Sequence, residues 1–315
     1  LVGSEMCIRD SNNSVITKKL GSPIYCKRTK PCGSFQMIRL LIHNEFRKIF
    51  YRKRTYIGFI LIGVLIPFIV GAIDNGGSML EKSIYGQLSD SFFFVGSLIN
   101  GYLATYIIIA VLITHMPFLS TIIAADIVSG EYSKGTFRLY LSRPVSRSKI
   151  LLSKLIIVYL YTILLMGFFS GYSLLISVAW LGTGELAVFH KGLLFLSEDD
   201  ALIRFFIAFL TSTVVMLTVS SLCFYISTIS KNSVTPIIIT ISTVFVGTAI
   251  SIIPIEFFQT INPYLFTGYI NSYLSAFHDP IPYSAIFRLM TVCFIWTLIF
   301  LGLAFNHFIK KDITD

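Results

Sequence analysis

The residues best equipped for chemistry are gathered in one stretch. From Asp126 to Ile150 the chain reads DIVSGEYSKGTFRLYLSRPVSRSKI, with Glu131 set among Lys134, Arg138, Arg143, Arg147 and Lys149. An acid in that setting forms ion pairs, either with Lys134 or Arg138 at helical spacing or with a basic residue of another protein. Gly135 is placed to end a helix. Thr136 can cap a short helix running to Leu141 by accepting a backbone N–H, and Pro144 stops it. Phe137, Leu139, Tyr140 and Leu141 give this short helix an apolar contact face ringed by positive charge, a form that suits docking to a soluble partner. The plainer alternative is a loop whose charge meets only lipid headgroups.

Elsewhere reactive groups are sparse. His115 is the titratable residue deepest in an apolar run, beside Met116 and Pro117 and with no carboxylate in the same run. A lone histidine there reads as packed or water-facing before it reads as a ligand or proton relay. Cys223 and Cys293 each stand alone in apolar runs and behave as small hydrophobes, without the spacing of metal ligands. Neither HExxH nor GxSxG occurs. GxxxxGK followed by Ser or Thr is also absent, so the chain has no such phosphate-binding loop, and the 25 residues of 126–150 cannot hold a nucleotide-binding domain. No catalytic residue and no metal are expected, and an intramembrane enzyme is disfavoured.

The elements that carry these residues follow from composition. Of 315 residues, 55% are hydrophobic and 13% charged, about half the charged share of a soluble domain, and mean hydropathy is +0.78. Six stretches free of Asp, Glu, Lys and Arg approach or exceed the roughly 20 residues that cross a bilayer: Tyr56 to Ile73, Ser91 to Ala125, Leu155 to Gly184, Phe205 to Ser230, Asn232 to Ile255 and Leu289 to Ile309. The expected fold is an all-α integral membrane protein of six transmembrane helices. The second stretch is too long for one crossing, so its helix projects beyond the membrane or bends near Pro117. Before the first span, Ile38, Leu41, Ile42, Phe46, Ile49 and Phe50 recur at helical spacing opposite Arg39, His43, Asn44, Arg47 and Lys48. Residues 37–55 therefore read as an amphipathic helix lying in the headgroup plane against the lipid bilayer. Residues 254–283, rich in aromatics and proline, read as short re-entrant-like outer helices before the last span. Residues 1–36 lack an apolar period and are expected to be a non-native or disordered leader, with the natural start at Met37.

Sidedness follows from Lys and Arg. Fifteen of the nineteen after residue 36 fall on one side: before the first span, within 126–154, at Lys231, and at Lys310 and Lys311. Loops rich in these residues stay cytoplasmic, which places both termini there. The other side gathers acids, and no nucleic-acid partner is expected.

Glu131-x3-Gly135-Thr136-x4-Leu141-x2-Pro144-x2-Arg147 resembles the signature loop of ABC-2 type permeases, the membrane subunits of the second export type of ABC transporter. The basic helix before the first span, the six spans, the cytoplasmic termini and the apolar segment opening near Asn262-Pro263 resemble that family too, over residues 37–315. The resemblance implies a transmembrane subunit of an exporter in the inner membrane of a prokaryote. It also implies a translocation path formed as a homodimer or paired permease, lined by the second and fifth spans. A separate ATPase subunit would bind ATP and Mg. Carried onto this chain, it makes Glu131, Gly135, Thr136, Arg138, Pro144 and Arg147, with Arg47 and Lys48, the residues that couple to that ATPase. The alternative is a non-transporting anchor or sensor that recruits a soluble partner through 126–150.

Overall fold

The computed structural model describes residues 34–88, 99–133, 135, 146–189 and 193–310, together with three short strands before them. Those strands, β1 (Cys7–Arg9), β2 (Val15–Lys19) and β3 (Ser22–Tyr25), pair antiparallel in that order.

From Ser34 on, the architecture is helical. The helices are α1 (Ser34–Phe50), α2 (Lys53–Leu88), α3 (Gly101–Leu112), α4 (Met116–Asp126), α5 (Ser129–Ser133), α6 (Arg147–Leu181), α7 (Glu198–Ile229), α8 (Val234–Ile252), α9 (Glu256–Ile261) and α10 (Tyr283–Lys310). Six segments are long and apolar enough to cross a bilayer: Lys53–Gly77, Gly101–Asp126, Arg147–Leu181, Glu198–Ile229, Val234–Ile252 and Tyr283–Lys310. The chain is a multi-pass, all-α membrane protein, with the six spans expected from its apolar runs. The first helix begins and ends well outside its uncharged run of 56–73, because helix propagation does not stop at the first charge.

The second span is two helices. Pro117 lies in the first turn of α4, where its missing N–H costs nothing, and Ile113–His115 forms a 3-10 turn between α3 and α4. Met116 N–H takes the Ile113 carbonyl that Pro117 cannot. His115, exposed at this break, has Nδ1 3.0 Å from the carbonyl oxygen of Val111. Asn100 caps α3 by accepting from Leu103 N–H at 3.0 Å. The start of this span presses on α6: a Cβ on Gly101 would come within 2.7 Å of the Val178 nitrogen, and Gly101 N–H donates to the Gly182 carbonyl at 2.9 Å.

The span α7 is the hub, packing on α4, α6, α8, α10 and the 3-10 turn Ser272–Phe277. Its hydroxyls make this possible, since in hydrocarbon every polar group needs a partner inside the protein. Ser220 meets Thr162 at 2.9 Å, Ser221 meets Tyr159 at 2.6 Å, Thr218 meets Thr297 at 3.1 Å, and Ser227 donates to the Ala125 carbonyl at 2.7 Å. These serines serve packing within the chain. Ser242 and Thr243 are exposed on α8, and Gly247 lies so close to Thr267 that a Cβ would overlap it.

Opposite the 126–150 end, residues 254–283 form α9 and the 3-10 turns Asn262–Tyr264, Phe266–Tyr269 and Ser272–Phe277. Arg204 pins this segment to α7, donating to the carbonyls of His278 at 2.6 Å and Ala276 at 3.3 Å and pairing with Asp279. One feature lay outside the sequence expectation. An antiparallel hairpin of β4 (Leu186–Phe189) and β5 (Leu193–Leu196) joins α6 to α7, with Leu186, Ala187 and Val188 buried.

Candidate functional site

The stretch with the densest chemistry begins where α4 ends. Ser129–Ser133 adds one more helical piece, α5, and Gly135 follows in the left-handed region at φ +66°, where glycine carries no Cβ penalty. The end of this helical piece at Gly135 matches the reading from sequence. Thr136, Arg138 and Pro144, and the short helix expected through Leu141, lie outside the described residues.

Glu131 is buried, 3% exposed, and its surroundings are specific. The Lys154 ammonium donates to Glu131 Oε2 at 2.7 Å, to Glu45 Oε2 at 3.0 Å and to the Ile127 carbonyl at 3.1 Å. Those three bonds use all its protons. Lys48 closes the figure, donating to Glu131 Oε1 at 3.0 Å and Glu45 Oε1 at 3.1 Å. Two carboxylates and two ammoniums therefore alternate around a ring, each carboxylate bridging both lysines, with no net charge. α1 supplies Glu45 and Lys48, α5 supplies Glu131, and α6 supplies Lys154.

Burial by itself raises the Glu45 carboxyl, but Lys154 and Lys48 outweigh it and hold the group below its ordinary value. Tyr132, next to the ring residue Glu131, is pushed up by burial. The ring's capacity is mechanical: α5 and α6 cannot part without separating Glu131 from buried Lys154, and α1 cannot leave them without breaking two of the four ion pairs.

A second contact set braces the first. Asp126, buried at the end of α4, takes Arg52 through Oδ2, while Ser233 donates to Oδ1 at 2.9 Å and Arg54 lies 3.7 Å away. This ties the α1–α2 corner to the α7–α8 turn. Gly130 is obligatory here, since a Cβ would overlap Asp126 Oδ1. Arg147 opens α6 and donates to the Ile309 carbonyl in the last turn of α10 at 3.0 Å. Arg47 is exposed on α1.

Two expectations from sequence are corrected. Lys48 does not stand on the solvated face of α1; it is half-buried, because Glu45 turns the inner face of that helix polar. Lys154, counted with the loop, is fully buried inside α6, so the third span takes in an ionisable residue that the uncharged run from Leu155 leaves out. Glu45, Asp126 and Arg52 were not named as site residues from sequence. Among the described residues, no cluster of three His, Cys, Asp or Glu could hold a metal.

A family model described as an ABC-2 family transporter protein matches residues 41–247, more than half of the chain and all four members of the ring. The chain belongs to that family. It is thus a multi-pass membrane protein of the ABC-2 transporter family. It is also 30% identical over 204 residues to the uncharacterized protein YhcI of Bacillus subtilis strain 168, a match covering 62% of this chain and 63% of that relative. The ABC-2 chain thus spans less than two thirds of that relative's length.

Proposed function

We infer that this ABC-2 protein is the membrane half of an ATP-driven exporter. Two copies, or this chain and a related permease, enclose the translocation path, and a separate ATP-binding cassette ATPase docks on residues 126–150 of each. That ATPase binds ATP and Mg; this chain supplies no nucleotide site. The membrane is the inner membrane of a prokaryote, with residues 126–150 and both termini in the cytoplasm, a placement supported by the basic excess at that end. The outward direction rests on the resemblance of the 131–147 motif.

The observation that carries this reading is the Glu45–Lys48–Glu131–Lys154 ring. A docked ATPase moves the surface it touches, and that movement does work only where the surface is fastened to spans. Glu131 lies on the continuation of the second span, Lys154 in the third, and Glu45 with Lys48 on the entry helix, so the ring supports transmission from 126–150 into all three. Gly135, Thr136, Arg138, Pro144 and Arg147 belong to the contact surface, with Arg47 beside it.

Co-purification tests this. The chain is expressed with the ATPase encoded beside it and compared with Arg138→Glu and with the double change Glu131→Gln plus Lys154→Met, reading complex recovery and ATP turnover in nanodiscs. Arg138→Glu is expected to lower recovery several-fold. The double change is expected to leave recovery intact while abolishing the change in ATP turnover that the permease imposes. If no ATPase co-purifies, or all three proteins behave alike, the coupling reading fails and an anchor or sensor takes its place.

A further inference from the structure

Near the charge ring, α1, the start of α2 and α6 enclose a groove of about 230 Å³. Its walls include Phe46 and Phe50 from α1, Tyr56 and Phe59 from α2, and Leu160 and Leu164 from α6. The rings are set against one another, with centroids 6.1 Å apart for Phe46 and Phe50 and 5.9 Å apart for Phe50 and Tyr56. Three hydroxyls border the groove, and all are already engaged: Thr55 donates to the Ile49 carbonyl at 2.6 Å, Tyr56 to the Phe50 carbonyl at 3.0 Å and Tyr161 to the Thr55 carbonyl at 3.4 Å. An occupant finds no free polar group there. Phe46 and Phe50 are 41% and 56% exposed, so the groove is open along α1.

The neighbourhood is cationic. Arg39, Arg47 and Lys53 are exposed and make no ion pair among the described residues. The nearby acids are committed elsewhere: Glu45 and Glu131 to the ring, and Asp126 to Arg52 and Ser233. Arg47 lies one turn before Phe50, and Lys53 follows it across the α1–α2 corner. A purely apolar slot beside unpaired cations is complementary to a molecule with a hydrocarbon tail and an anionic head. At about 230 Å³ the slot is too small for another helix, a cylinder about 10 Å across, and too dry for a polar solute.

We propose that this groove seats one anionic phospholipid, with an acyl chain between α1, α2 and α6 and the phosphate among Arg47, Lys53 and Arg39. The large exposed apolar faces of α8 and α10 also meet lipid, but no cluster of free cations adjoins them among the described residues. A lipid in this seat packs on the helix that carries Glu45 and Lys48, so it helps to set how that helix rests on α6.

The test uses the purified chain in detergent, exchanged with mixed micelles holding equal amounts of palmitoyl-oleoyl phosphatidylglycerol and phosphatidylcholine, and read by native mass spectrometry. One phosphatidylglycerol is expected to be retained roughly tenfold over phosphatidylcholine. Surface cations attract an anionic headgroup, so Arg47→Gln with Lys53→Gln is expected to remove most of that tenfold preference. Leu160→Trp with Leu164→Trp fills the groove, leaves the charges in place, and is expected to lower retention at least fivefold. Loss in the charge pair without loss in the tryptophan pair means headgroup attraction alone and overturns the proposal, as does equal retention of the two lipids. Because two tryptophans can also disturb folding, the unaltered chain is labelled with diazirine-tailed phosphatidylglycerol. Labelling concentrated in residues 46–59 and 157–164 supports the seat; labelling no heavier there than on α8 and α10 removes it.

Discussion

Replacing Lys154 with methionine keeps most of the side-chain volume and removes one charge from the ring. Glu45 and Glu131, each 3% exposed, are left facing each other with Lys48 as their shared cation, and the Ile127 carbonyl loses its donor. Breaking a buried pair by deleting one partner costs about 3–5 kcal/mol, chiefly from the stranded charge. The stranded charge here is one carboxylate in excess. Lys154 is the stronger of the two cations that hold the Glu45 carboxyl down, so without it that carboxyl rises and takes up a proton more readily, and the penalty is larger at pH 8 than at pH 5.5. At roughly 2–4 °C per kcal/mol for a chain of this size class, the midpoint drops by about 6–20 °C at pH 8. Adding Glu131→Gln restores neutrality, and the double variant is expected to recover at least half of that loss. Fluorescence from Trp180 and Trp296 during thermal unfolding in one detergent at pH 5.5 and pH 8 reads all four proteins of the cycle. A single variant within about 1 °C of the parent at both pH values, or a double variant no better than the single, would refute the view that the ring is a coupled, buried unit.

Three further outcomes follow from other contacts. Gly130→Ala forces Asp126 away from Arg52 and Ser233 and is expected to cost about 1–3 kcal/mol; adding Asp126→Ala removes the clash, so the Gly130→Ala change measured in that background should be close to neutral by thermal unfolding. The Glu45 carboxyl titrates lower in the fold than in the unfolded chain, so its contribution is complete above the unfolded value of about 4.3 and lost as pH falls through the lower folded one; the parent midpoint should decline below pH 4, and Glu45→Gln should flatten that limb. Arg204→Met leaves the carbonyls of Ala276 and His278 without their donor, and limited proteolysis should then cut within 254–283 at least several-fold faster while the spans stay protected.

What could be read in advance divides along the range of the forces involved. Lipid imposes a length and a polarity on each crossing, so six spans and the broken outer segment were legible from runs of residue types alone. The bend in the second span was legible too, because Pro117 acts on its own preceding turn. The ring was not. Lys154 and Glu45 are 109 positions apart, and no local rule distinguishes a lysine that flanks a span from one that enters it at the second turn of a long helix. A signal did exist on the other side of the pair. Glu45 sits four residues after Leu41 and four before Ile49, on the stripe that packs inward, and an acid on such a stripe needs a cation from another element. The hairpin at 186–196 carried a weaker signal still, two four-residue apolar runs with no turn dipeptide between them to mark a strand pair.

The balance of charge in the ring bears on how a coupling element can work in this setting. A single buried ion pair holds two elements and fails at once when they move, leaving both charges bare. In the alternating ring each carboxylate is shared by two ammoniums, and Lys48, a third exposed at its side chain, occupies the flexible corner. Moving α1 relative to α6 stretches the Lys154–Glu45 and Lys48–Glu131 contacts, while Lys48 stays with Glu45 on α1 and Lys154 stays with Glu131, so no carboxylate is left bare. The same reasoning separates the roles of the two lysines. Lys154→Met should destabilise the fold, whereas Lys48→Met should cost under half as much and act mainly on the position of α1. If the two substitutions prove equally damaging, the ring is a rigid rivet, and the movement that the proposed ATPase imparts must pass through Asp126 and Arg52 instead.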